Sequence, residues 1–174
     1  EAALTVWLWS DMSPSMGFRS HLSQITKRER ALVLMLAAAE LLVRGGERVA
    51  VLGLTAPTAS RKATTRILEA LLTSFASAAV QKSRPPKTTP SRHSSVLLFG
   101  DFLAPVPAIR ERLDVLAAAG CTGHLVQILD PAEETLPYEG RTEFYGPSGR
   151  ERWVADRAES VRGAYRARLE AHRA

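Results

Sequence analysis

The chain of 174 residues has a single cysteine, few aromatic residues and no long uninterrupted apolar run. One cysteine, Cys121, excludes a disulfide scaffold. The most apolar window, Ala31–Val43, is broken by Glu40 and falls short of the roughly 20 residues that a membrane span needs. No basic segment, apolar stretch and cleavage site open the chain, so no signal peptide is read. No membrane insertion is therefore expected within these residues. The expected location is cytoplasmic, and any membrane association is left to segments outside this sequence. Nucleotide hydrolysis lacks its G-x-x-x-x-G-K-[ST] loop, and the dinucleotide-binding glycine fingerprint is missing too. Ser13 and Ser15 lack the G-x-S-x-G elbow of serine hydrolases. The four histidines, His21, His93, His124 and His172, form no triad pattern, and each reads as a solvated or capping residue.

What is present is ordinary for a globular domain: 45% hydrophobic and 24% charged residues. The length suits one domain, able to bury about 70% of its unfolded surface. The net charge of +5 at first suggests an acidic partner. Its placement removes that suggestion. Residues 81–95 hold Lys82, Arg84, Lys87 and Arg92 with no acidic residue, and three prolines. This segment is predicted to be a mobile basic loop, and it carries no interleaved aromatics for base stacking. No nucleic-acid partner is expected.

Four apolar runs read as strands: Leu4–Trp9, Arg48–Leu54, Val96–Phe99 and Leu125–Leu129. Each is nearly continuous rather than alternating, as in strands covered on both faces of a parallel sheet. Helical spacing covers Lys27–Arg44, Thr65–Ala79, Ile109–Ala119 and Ala158–Ala171. The first of these helices is apolar nearly all round, which predicts a central, largely buried position. It stops at Gly45-Gly46, where glycine can take the left-handed cap conformation. A hairpin around Thr142–Tyr145 and Trp153–Ala155 is expected to add edge strands. Trp7 and Trp9 share one face of the first strand and read as core. The pattern predicts an α/β three-layer sandwich with a mostly parallel central sheet. The whole of 1–174 reads as one domain.

The residues with the most chemistry are Asp11-Met12-Ser13-Pro14-Ser15-Met16-Gly17, directly after the first strand. Ligands of parallel α/β sheets bind outside the carboxyl ends of the strands. A D-x-S-x-S turn there offers one carboxylate and two hydroxyls, hard oxygens that suit Mg²⁺ or Mn²⁺. Asp101, in LLFGDFLAP, follows the third apolar run in the same way. Asp11, Ser13, Ser15 and Asp101, completed by water, are the candidate ligands of a hard cation. Asp and Ser after a strand are also favoured turn and helix-capping residues, which leaves a purely structural role open.

The D-x-S-x-S turn resembles the metal-ion-dependent adhesion site of von Willebrand factor A domains. The stretch TVWLWSDMSPSMGFRS…KRERALVLMLAAAELLVRGGERVAVLGL is similar to a bacterial domain-of-unknown-function group with a von Willebrand A-like fold. Members of that group often accompany MoxR-type AAA+ ATPases. FGDFLAP, ILDPAEETLPYEGRTEF and a closing helix with Tyr165 extend the likeness over most of the chain. The likeness begins mid-family, so the chain reads as part of a longer protein. The resemblance implies that Ser13 and Ser15 ligate the cation directly, and that Asp11 and Asp101 hold it largely through water. It also implies a threonine from another loop, often in a G-G-T context. That context is missing here, and Thr58, Thr64 and Thr65 lie in the corresponding interval.

The resulting expectation is a non-enzymatic protein-binding domain. It would recognise a partner through a divalent cation and work with a MoxR-type AAA+ ATPase in complex assembly or maturation. One alternative is a metal-independent interaction scaffold of the same fold. Another is a phosphoryl-transfer enzyme with Asp11 as nucleophile. Phosphatases of that type carry a second Asp two residues on, where this chain has Ser13.

Overall fold

The computed structural model describes residues 3–76, 84–88 and 90–174. Its centre is a four-stranded sheet in the order β2-β1-β3-β4. β1 is Thr5–Ser10, β2 Arg48–Val51, β3 Ser95–Gly100 and β4 Thr122–Gln127. All three pairings are parallel, with Leu8 opposite Val51 on one side and Leu97 on the other. Helices α1 (Lys27–Arg44), α2 (Ala63–Ala76) and α3 (Val106–Ala118) supply the crossovers. Strand alternation sends Val6, Leu8 and Phe99 to one face, against Ala31, Met35 and Ile67 of α1 and α2. Trp9, Val96 and Leu98 point the other way, against Leu116 of α3, with Trp7 packed beside them. The half-buried Cys121 packs against that second cluster, and burial pushes its thiol pKa up. The result is three layers, as the patterning predicts.

Several boundaries differ from the sequence reading. β2 stops at Val51 because Gly53 takes φ +73° and turns the chain, and Thr58 then returns to bridge Val49 in antiparallel fashion. α3 begins at Val106, earlier than Ile109, because Pro107 is tolerated in a first helical turn. α2 is described to Ala76, and the remainder of the expected Thr65–Ala79 helix lies outside the described residues. β4 is shifted towards the N-terminus, since its register against β3 starts at Thr122 opposite Ser95. At the end of α1 the sequence reading holds: the helix stops at Gly45-Gly46, and Gly46 takes the left-handed conformation.

Two further expectations are corrected. α1 is not largely buried: only Lys27, Ala31, Met35 and Ala39 are, while Val33 and Leu41 are 58% and 70% exposed. One sheet and one neighbouring helix cover a single side of it. The hairpin forms, as β5 (Thr142–Tyr145) and β6 (Arg152–Ala155), but as its own antiparallel two-stranded sheet rather than as edges of the main one. It follows the short helix α4 (Pro131–Thr135) and precedes α5 (Ala158–Arg173). Within the expected basic loop, Lys82 lies outside the described residues, and Pro86 packs against Gly53. Among the described residues, no helix is long and apolar enough to cross a membrane.

Candidate functional site

The carboxyl ends of β1 and β3 lie side by side, and the site is built where both strands stop. The Asp11 N–H donates to the Phe99 carbonyl at 2.7 Å, pinning the turn to the neighbouring strand. Asp11 Oδ1 in turn accepts from the Ser13 N–H at 2.7 Å, a local bond typical of Asp two residues ahead of a turn. Pro14–Gly17 then form a single 3₁₀ turn whose Met16 is fully buried, anchoring it to the core. That anchoring sets the Ser13 and Ser15 Oγ atoms 3.0 Å apart. Ser15 Oγ donates to Asp101 Oδ2 at 2.7 Å. A Cβ at Gly100 would stand 3.0 Å from the Asp11 Cβ, so glycine before Asp101 lets the two acidic segments approach. Asp101 Oδ1 accepts from the Leu103 N–H, and Gln127 Nε2 donates to the Asp101 carbonyl. Next to it, Phe102 holds φ +51°, and its carbonyl accepts from His172 Nε2 at 2.7 Å.

All four residues singled out in the sequence thus meet, as a continuous chain of contacts Asp11–Ser13–Ser15–Asp101. The threonines of the implied third loop are engaged elsewhere. Thr58 pairs with Val49, Thr64 Oγ1 donates to Glu40 of α1, and Thr65 is exposed.

Two residues of the site escaped the sequence reading. Lys27, at the first position of α1, is 3% exposed and donates to Asp101 Oδ2 at 3.0 Å and to Glu133 Oε1 at 2.6 Å. Glu133 comes from α4, where it also completes a capping box with Asp130. The one hint was electrostatic. A lysine in the first helical turn opposes the helix dipole, so it needs an outside reason to be there. Arg28 Nη2 donates to the Ser13 carbonyl at 3.1 Å and holds the turn from the same helix end.

Two carboxylates, Asp101 and Glu133, therefore hold one buried ammonium, and Asp11 joins them through Ser13 and Ser15. The Asp11 pKa is raised, chiefly because burial removes water from its carboxylate. Bonds from Ser13 oppose that rise, the negative Asp101 adds to it and Lys27 subtracts from it. The donor set fits a hard cation. Neighbouring oxygens of an octahedral Mg²⁺ site with bonds of roughly 2.0–2.1 Å lie about 3 Å apart, and the serine hydroxyls have that spacing. Among the described residues no group of three or more His, Cys, Asp or Glu is gathered as a metal cluster.

In comparisons with known proteins, the family described as protein of unknown function DUF58 matches residues 1–174. No curated protein and no solved structure matches the chain.

Proposed function

The chain belongs to the DUF58 family, and from that premise we propose that it is a von Willebrand A-like, non-enzymatic domain that binds a protein partner through a divalent cation. The observation that carries this reading is the unbroken contact chain from Asp11 through Ser13 and Ser15 to Asp101, at the carboxyl edge of a parallel sheet. Ser13, Ser15, Asp11 and Asp101 would hold Mg²⁺ or Mn²⁺. The cation would supply an open coordination position for a partner carboxylate. The protein's own part is to keep the hydroxyls paired and to hold Asp101 in place from three sides, through Ser15, Lys27 and the Leu103 N–H. The MoxR-type AAA+ ATPase remains the proposed partner, in complex assembly or maturation, on the sequence resemblance alone.

Calorimetric titration of Mg²⁺ and Mn²⁺ into the wild type, Asp11→Ala and Asp101→Ala tests this. Binding by the wild type and loss in both variants is expected. A wild type that binds neither ion at millimolar concentration overturns it. One observation favours a second reading, the metal-independent scaffold: Lys27 already offers Asp101 a counter-charge at 3.0 Å. In that case partner binding survives chelation, and the titrations are silent.

A further inference from the structure

A groove of about 630 Å³ opens immediately beside Ser15, between the 3₁₀ turn and the β5–β6 hairpin. Its base includes the buried Ala132 and Leu136, and its walls carry Phe18, Tyr138, Phe144 and Tyr165. Phe144 is held before any ligand arrives. Trp153 stacks on it with ring centres 5.3 Å apart, and Tyr138 meets it edge-on at 5.5 Å.

The charges on the lining decide what it can accept. Glu133 is paired with Lys27. Glu143 is paired with Arg152 and also accepts from the Tyr145 hydroxyl, which together lower its pKa to about 2. Each carboxylate on the lining thus has a basic partner within the protein, Glu133 a buried one and Glu143 an exposed one. The rest of the lining is largely aromatic and aliphatic, and it includes Ser15 of the candidate cation site. Ser15 belongs both to the candidate cation site and to the lining of this groove.

We propose that the groove takes a bulky apolar side chain, aromatic or large aliphatic, from the same partner segment whose carboxylate reaches the Asp11–Ser13–Ser15–Asp101 site. The inference rests on the cation-dependent reading and gives the partner a chemistry: an acidic residue with an apolar one within a residue or two of it. Neighbouring residues of an extended segment are about 3.3–3.6 Å apart along the chain, which suits two sites that share Ser15. The acidic residue is read by the cation site, and the apolar one by the groove.

The test uses three blocked peptides, Gly-Asp-Phe-Phe-Gly, Gly-Asp-Gly-Gly-Gly and Gly-Asn-Phe-Phe-Gly, titrated into isotope-labelled protein with saturating Mg²⁺ and followed by NMR. Burial of one aromatic ring makes the first peptide bind at least about tenfold more tightly than the second. It should move the amides of Phe18, Leu136 and Phe144. Phe18→Ser, a change at a residue 38% exposed, should bring the first peptide down to the affinity of the second. Equal affinity of the first two peptides overturns the groove and leaves the cation reading standing. Equal affinity of the first and third, unchanged by chelation, supports the groove and removes the cation-bridged mechanism. Absence of binding by all three overturns the inference.

Discussion

Asp11 pays for its position when no cation is present. The residue is 2% exposed and its pKa is raised by burial, so the folded protein favours the protonated form more than the unfolded chain does. The sign follows directly. The favourable contribution of this group is complete below the unfolded value near 3.8 and is lost as pH climbs through the higher folded value. At neutral pH the charged Asp11 therefore weakens the fold. Asp11→Asn keeps an oxygen to accept the Ser13 N–H and removes the charge. It should raise the melting temperature of the cation-free protein by a few degrees at pH 7, and the gain should vanish near pH 3. Thermal unfolding at the two pH values checks this. Mg²⁺ should close the pH 7 gap by stabilising only the wild type, because only the wild type retains the full ligand set. A neutral substitution that destabilises at pH 7 would mean that Asp11 is held by more counter-charge than Lys27 supplies.

At the scale of elements, α1 does two jobs: it covers one face of the sheet and it delivers Lys27 to the site. Its start is fixed by a reciprocal capping box, in which Thr26 accepts from the Glu29 N–H and Glu29 accepts from the Thr26 N–H. Thr26→Ala should cost about 1 kcal/mol in urea unfolding, the usual loss for such a cap. The variant should also bind Mg²⁺ differently from the wild type, because the frayed end carries Lys27. The same element shows where sequence reading works and where it stops. The limits Lys27–Arg44 follow from local causes, a capping box at one end and paired glycines at the other, and are legible. The exposure of Val33 and Leu41 follows from what does not pack on them, and no periodicity records that. β4 begins earlier than the apolar run for a related reason: Gly123 and His124 look like loop residues until β3 pairs with them. In the site, Asp11 and Asp101 were legible because each follows a strand directly, and Ser13 and Ser15 because they share the turn that Asp11 opens. Lys27 and Glu133 were not, because 106 residues separate them and only the fold joins them.

On the scale of the whole molecule, the chain divides unequally in how it is held. The main sheet is joined by continuous backbone ladders. The unit made of α4, β5–β6 and α5 is tied to it largely by side chains: Ser20 N–H to Asp130, Lys27 to Glu133, His172 to the Phe102 carbonyl and Arg173 to Gln127. Within that unit the Tyr165 hydroxyl donates to the Glu133 carbonyl, and Arg162 donates to the carbonyls of Leu136 and Tyr138. Ties of this kind open at lower free energy than a central sheet does. Tyr165→Phe removes one bond inside the unit, between α5 and α4, at a cost of about 1 kcal/mol. Amides of β5 and β6 should then exchange hydrogen about fivefold faster, while those of β1 and β3 keep their wild-type rates. Uniform acceleration of all four strands would show instead that the molecule opens as one body. The outcome bears on recognition, since the groove beside Ser15 has one wall on the 3₁₀ turn and the other on this unit. A peptide that touches both walls must slow exchange in the hairpin, whereas one held by the cation site alone leaves the hairpin as mobile as before.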